Sequence, residues 1–227
     1  MVSGWTAQMG KSLKRCAGHR SNHEAWQDFA IMSASELAAP LGLDGPLRDD
    51  AERIRHKYDN DELEAMSEML GCTISALESN PRQDYLGAAY MELGIGNKKD
   101  GQFFTPYAVC EAMADEVITA EGCESAISDH GYVTLNDPAC GGGATLIAGA
   151  NRLRELGVDQ HHAWFEAQDL NLETACMCYV QLALIGCAGV VIVGDTLATE
   201  RRRVLHLPMN VISPWWTARA LQGAVAC

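Results

Sequence analysis

Three aspartates and a run of three glycines are the residues in this chain whose types and spacing suit chemistry. Asp137 is followed by Pro138, Ala139 and Cys140 and then by Gly141, Gly142 and Gly143, while Asp169 and Asp195 each close a later apolar run. Consecutive glycines remove every Cβ from a turn, so its backbone can take positive φ and approach a ligand closely. A helix-forming segment begins at Ala144, and the first N–H groups of such a helix point at the same spot. Taken alone, the glycine run is equally an ordinary strand-to-helix loop. Three carboxylates beside it suit a ligand with a hydroxylated sugar and an amine, and they repel phosphate. The sixth position counted from Gly141 is Leu146 rather than Gly or Ala, which matches the dinucleotide fingerprint poorly, and no Gly-Lys-Ser/Thr follows this turn. A sulfonium nucleoside carrying an amino-acid tail fits better.

Other polar clusters carry no metal chemistry. Cys176 and Cys178 are two apart on a predicted helix and so face different ways. Asp59-Asn60-Asp61 lacks the glycine and distal glutamate of a calcium loop and reads as a helix cap, and His161-His162 reads as the polar lead-in to a strand. The nine cysteines form no CxxC pair, which implies free thiols in a reducing cytoplasm. With a formal net charge of −13 the surface repels a polyanion, so any contact with nucleic acid must be local or supplied by a partner. The apolar run from Leu182 to Val193 is too short to cross a bilayer, and no secretory signal precedes Arg20, so neither a membrane span nor export is expected.

Several elements must position those aspartates. Lys11, Lys14, Arg15, His19 and Arg20 make residues 1–20 read as a basic arm with little expected order, in contact with solvent or with phosphate. Helical spacing follows over 22–39 and again from Leu47 to Tyr58. Leu63, Met66, Met69 and Leu70 give a further helix ended by Gly71, then comes a shorter one with Ile74 and Leu77, and then a helical pattern from Tyr85 to Leu93. Residues 1–95 therefore read as a helical region and 96–227 as a second unit. Thr105 and Pro106 read as N-cap and first residue of the next helix. From Val133 strands and helices alternate: strand 133–136, helix 144–156, strand 163–168, helix 172–185 and strand 189–193, with Met209 to Ile212 as a fourth strand. Such alternation predicts an α/β fold with about four mostly parallel strands, whose ligands sit at the strands' carboxyl ends.

In this order and spacing, Gly101-Gln-Phe-Phe-Thr-Pro106, Asp137-Pro-Ala-Cys-Gly-Gly-Gly143, Ala167-Gln-Asp-Leu-Asn171 and Gly194-Asp-Thr-Leu197 resemble the N6-adenine DNA methyltransferases. The likeness is specifically to the methylation subunit of type I restriction-modification systems, and it includes Asp84-Tyr-Leu-Gly87 in the helical region. The resemblance implies a partial Rossmann-like class I methyltransferase sheet and S-adenosylmethionine as cofactor. Carried over to this chain, it implies that Phe104, Thr105 and Pro106 pack around the methionine end. It also implies that Asp137 and Gly141 hold the amino-acid part, Asp169 the ribose hydroxyls and Asp195 with Leu197 the adenine, with Ala139 and Leu170 among the cofactor-binding residues.

The family carries Asn/Asp/Ser-Pro-Pro-aromatic after its fourth strand, where this chain has Ser213-Pro214-Trp215-Trp216. The likeness gives Ser213 and the Pro214 carbonyl the task of accepting the two hydrogens of an adenine amine, which helps localise its lone pair toward the sulfonium methyl. Trp216 would stack on a flipped base. Trp215 replaces the second proline, and the sheet resembles a shortened version of the family's. Two readings therefore stand: a DNA-adenine methylation subunit acting with a specificity subunit or another partner, homo- or hetero-oligomeric, or a truncated, inactive module that binds cofactor or partner. Arg201, Arg202 and Arg203 form a concentrated basic patch that suits either phosphate contact or an exposed loop.

Overall fold

The computed structural model describes residues 2–96 and 104–212. The chain opens not with a loose arm but with helix α1 (Val2–Ala17), which packs along α4 (Asn60–Ser79). Met9, Leu13 and Cys16 fall at helical spacing and are buried. The basic residues that suggested a solvated tail meet the acidic start of α4. Arg15 pairs with Glu68 at 3.1 Å and Asp61 at 3.5 Å, and Arg20 with Glu62 at 2.9 Å. Gly10-Lys11-Ser12 lies inside α1, where the Ser12 hydroxyl donates to Glu68.

Helix α2 (Asn22–Ala38) starts where Ser21 accepts the Glu24 amide at 3.1 Å. It is buried on most of its surface because α1, α3 (Arg48–Arg55) and a later helix all pack on it. Asp59 and Glu62 close a reciprocal capping box at the start of α4, as Asp59-Asn60-Asp61 suggests. Sequence spacing ends that helix at Gly71, whereas α4 runs on to Ser79. Glycine in a helix interior costs only about 1 kcal/mol, and the buried Met69, Cys72, Thr73 and Ala76 on either side outweigh it. Helix α5 (Tyr85–Glu92) completes this layer.

Pro106, rather than Thr105, occupies the N-cap of α6 (Tyr107–Val117), one residue later than the sequence suggests. An additional helix, α7 (Ala120–His130), is capped by Thr119 and ended by left-handed Gly131. Strands β1 (Val133–Asp137), β2 (Ala163–Asp169) and β3 (Gly189–Val193) run parallel in chain order. Helices α8 (Ala144–Glu155) and α9 (Leu172–Leu184) connect them. The fourth strand is not Met209 to Ile212. It is β4 (Arg203–His206), antiparallel to β3, and Pro208–Val211 forms a 3-10 turn instead. The reason lies in Asn210, whose side chain bonds both the amide and the carbonyl of Gly189 at 2.6 and 2.8 Å and so ends the sheet there. The fold is thus mixed α/β, a helical N-terminal region followed by a partial Rossmann-like, mostly parallel sheet. Among the described residues no helix is long and apolar enough to cross a membrane.

One core runs from the helical layer into the sheet. Helix α9 packs on β2 and β3 and also on α2. Trp26 of α2 is fully buried, directs its indole N–H to the Met177 sulfur at 3.4 Å, and meets Tyr90 edge-on at 5.9 Å. Truncating Trp26 to alanine is expected to cost about 3–5 kcal/mol. Chemical denaturation checks this, and a loss below about 1 kcal/mol would show that α2 does not brace α9 through this ring.

Candidate functional site

At the carboxyl end of β1 the chain turns through Pro138 to Gly143 into α8. Asp137 shapes the start of that turn, since Oδ1 accepts the Ala139 amide at 3.0 Å and Oδ2 accepts the Thr145 hydroxyl. The turn is fastened to β2 as well. The Cys140 amide donates to the Gln168 carbonyl at 2.9 Å, and the Gly141 amide to Asp169 Oδ2 at 2.9 Å. Gly141 and Gly143 have φ of 52° and 97°, backbone that favours glycine. Space is equally decisive, because a Cβ on Gly143 would stand 2.9 Å from Cys178 Sγ and one on Gly141 would touch the Phe104 ring at 3.4 Å.

The second carboxylate, Asp169, ends β2. Its Oδ1 accepts the Asn171 amide at 2.9 Å and the Thr174 hydroxyl at 2.8 Å. The third, Asp195, stands just beyond β3, where Oδ1 accepts the amides of Leu197 at 2.9 Å and Ala198 at 3.2 Å. Hydrogen bonds join the three loops. Gly194 donates to the Asp169 carbonyl at 2.9 Å, and the Thr196 hydroxyl to the Pro138 carbonyl at 2.6 Å. Asp137, Ala139, Gly141, Asp169 and Asp195 therefore belong to one rim, as their positions at strand ends imply. Leu170 and Leu197 lie on the same loops with exposed side chains, 61% and 98% accessible. Of the Phe-Thr-Pro segment, the Phe104 ring reaches the glycines and stacks edge-on with Tyr90 at 5.4 Å, while Thr105 and Pro106 are exposed. Gly101 to Phe103 and the tetrapeptide Ser213, Pro214, Trp215 and Trp216 lie outside the described residues.

The basic patch is divided. Arg203 pairs with Asp50 and the Pro46 carbonyl, Arg202 with Glu200 and the Leu170 carbonyl, and Arg201 is exposed. A cleft of about 460 Å³ lined by Arg154, Gln160, His161 and Met209 lies at the opposite, amino ends of β2 and β3. Strand-end geometry favours the carboxylate rim as the ligand site. No group of His, Cys, Asp and Glu among the described residues is arranged to hold a metal.

Two buried residues complete the arrangement: Asp84, which the sequence offers only as part of the Asp84-Tyr-Leu-Gly87 likeness, and Gln181, which sequence reasoning missed. Gln181 of α9, fully buried, accepts the Leu86 amide at 3.0 Å and donates to Asp84 at 2.7 Å and to the Gly142 carbonyl at 2.8 Å. Asp84 caps α5 through the Gly87 amide at 2.8 Å, and burial pushes its carboxyl above the ordinary range. The visible signal for Gln181 was an amide within an apolar helix, a placement that demands partners. Nearby, a hydrogen bond with Cys140 and complete burial raise the Cys178 thiol well above its ordinary value.

A mostly parallel sheet with a glycine-rich turn and three strand-end carboxylates defines an α/β domain whose polar rim lies at the strands' carboxyl ends. Residues 83–217 match the N-6 DNA Methylase family model, and the chain belongs to that family. Neither the curated proteins nor the solved structures gave a match. Replacing Gly143 with alanine is expected to lower stability by about 1–3 kcal/mol through strain at positive φ. The same change displaces Cys178, and thermal unfolding of the variant beside Gly71→Ala, where no atom crowds the new methyl, checks the effect.

Proposed function

We propose that the chain is the methylation subunit of a type I-like restriction-modification system, an adenine-N6 DNA methyltransferase that uses S-adenosylmethionine and acts with a DNA-recognition partner. The observation that carries this reading is the single rim formed by Asp137, Asp169 and Asp195 around the glycine turn, within a domain of the N-6 DNA methylase family. The residues fit the cofactor. Asp169 Oδ2 receives one protein donor, which leaves a lone pair for a ribose hydroxyl, and the Asp195 donors both go to Oδ1, which leaves Oδ2 for the adenine amine. Phe104 covers the glycines on the side assigned to the methionine end. When bound, the cofactor supplies an electrophilic sulfonium methyl.

This chain's own part in the transfer is to orient that methyl, exclude water with Phe104 and receive the base. Ser213 and the Pro214 carbonyl accept the hydrogens of the adenine amine, and Trp216 gives the flipped base a stacking face. Trp215 stands where the family has proline, so the second reading is a module that binds cofactor without methyl transfer.

Calorimetry with S-adenosylmethionine and S-adenosylhomocysteine tests the cofactor assignment, with Asp169→Ala expected to weaken binding roughly 10- to 100-fold, the range of a charge-assisted hydrogen bond. Absence of binding to the unaltered chain at millimolar ligand would refute it. Labelled cofactor, DNA and a recognition subunit together are expected to yield N6-methyladenine. If no product forms while the cofactor binds, and Trp215→Pro restores none, the non-catalytic reading holds.

A further inference from the structure

Asp84 is 5% exposed, yet among the described residues no lysine, arginine or histidine forms an ion pair with it. A buried carboxylate without a cation costs several kcal/mol. Its role as helix cap does not account for the charge, because Asn, Ser or Thr would accept the Gly87 amide equally well. Both donors that reach the side chain, Gly87 N and Gln181 Nε2, bond Oδ1. Among the described residues no donor reaches Oδ2. The carboxyl also has a specific neighbour. Its oxygens stand 3.3 and 3.4 Å from the Cβ position of Gly142, the middle glycine of the turn, on the side shared with the Phe104 ring at 3.6 Å. A Cβ on Gly87 would fall 2.0 Å from Oδ2, so Gly87 and Gly142 both leave room for this one group. An acid has thus been seated beside the turn at the expense of two side chains.

Taking the cofactor reading as its basis, we infer that Asp84 is the counter-ion for the α-ammonium group of the cofactor's amino-acid end, held in place for that task by Gln181. The ammonium supplies the cation that the buried carboxyl lacks, and Oδ2 is the free acceptor. Charge and geometry then divide the work: Asp137 shapes the turn and Asp84 neutralises the ligand beneath it.

The pairing carries a proton signature. In the free protein burial raises the Asp84 carboxyl, opposed by its bonds to Gln181 and Gly87. An adjacent ammonium favours the ionised form and lowers it again. Ligand binding below the free-state value therefore expels a proton to solvent, so affinity is full above that value and falls as pH drops through it. The titratable groups facing Asp84 are Cys110 on α6 and Cys178 on α9, both raised thiols that feel its charge, with Asp137 acting on the same two. None of these is a cation that could substitute for the ligand.

Asp84→Asn is the decisive variant, since it keeps the Oδ1 acceptor and removes the charge. Without ligand at neutral pH its melting temperature is expected to equal or exceed that of the unaltered chain, because a raised carboxyl stabilises the fold only at low pH. Affinity for S-adenosylhomocysteine is expected to fall about 10- to 100-fold. Affinity for the analogue whose α-amino group is replaced by hydrogen is expected to be weak in the unaltered chain and unchanged in the variant. The pH dependence on the acid side should disappear with the charge. Equal loss for both ligands, or no loss for either, would overturn the role of Asp84 while leaving the cofactor assignment intact. Failure of the unaltered chain to bind S-adenosylhomocysteine at all would instead remove both. If Asp84→Asn does not fold, proton release by the unaltered chain keeps the test open: release on the acid side that accompanies S-adenosylhomocysteine and is absent with the deaminated analogue supports the pairing, and equal release, or none, with both overturns it.

Discussion

A single buried carboxamide ties this structure together. Gln181 makes one bond to each of three parts of the chain: the start of α5, the capping acid before it and the middle of the glycine turn. Leaving such groups unpaired in an interior costs about 1–3 kcal/mol each, so the amide is hard to exchange for anything of another pattern. Its position depends in turn on α9, which the sheet fixes on one side and α2 on the other. The ring series Phe29, Trp26, Tyr90 and Phe104 runs in the same direction, from the helical layer to the glycines. The N-terminal helices are therefore part of the site's foundation rather than an appendage to the sheet.

The charge distribution has a matching logic. The acids at the strand ends are held mainly by backbone amides and hydroxyls, which orient the oxygens without cancelling their charge. The basic residues are committed elsewhere: Arg15 and Arg20 to α4, Arg203 to the segment before and within α3. A rim of this kind favours a cationic small molecule and, in a chain of net charge −13, gives a polyanion little long-range attraction.

Much of this could be seen in the sequence, and what was missed has physical causes. The alternation after Val133 placed β1, β2, β3, α8 and α9 within a residue or so of their ends, because parallel strands are bounded sharply by turn formers. The strand-end aspartates followed from that alone, and the family likeness came from the motifs at those ends together with Gly101 to Pro106 and Asp84 to Gly87 ahead of them. By contrast, α1 was hidden because its Arg15 looks solvent-bound until the acids of α4 are beside it. β4 was missed because Arg203 to His206 holds only two apolar residues, Val204 and Leu205, whereas the more apolar Met209 to Ile212 follows a proline that starts a tight turn. Asp84 and Gln181 are separated by most of the domain, and no local pattern announces a contact across that distance.

The antiparallel attachment of β4 also orders events in time. Val193 and Arg203 pair across a short connection, whereas Val133 must find Ala163, and Phe165 must find Gly189, across whole helices. Loop-closure entropy favours the short connection first and makes long-range parallel pairing slow. The hairpin that carries Asp195 is thus the part of the rim able to form locally. The glycine turn is bonded to Gln181 of α9, which in turn holds the start of α5, so the two ends of the carboxylate rim depend on contacts of very different sequence separation.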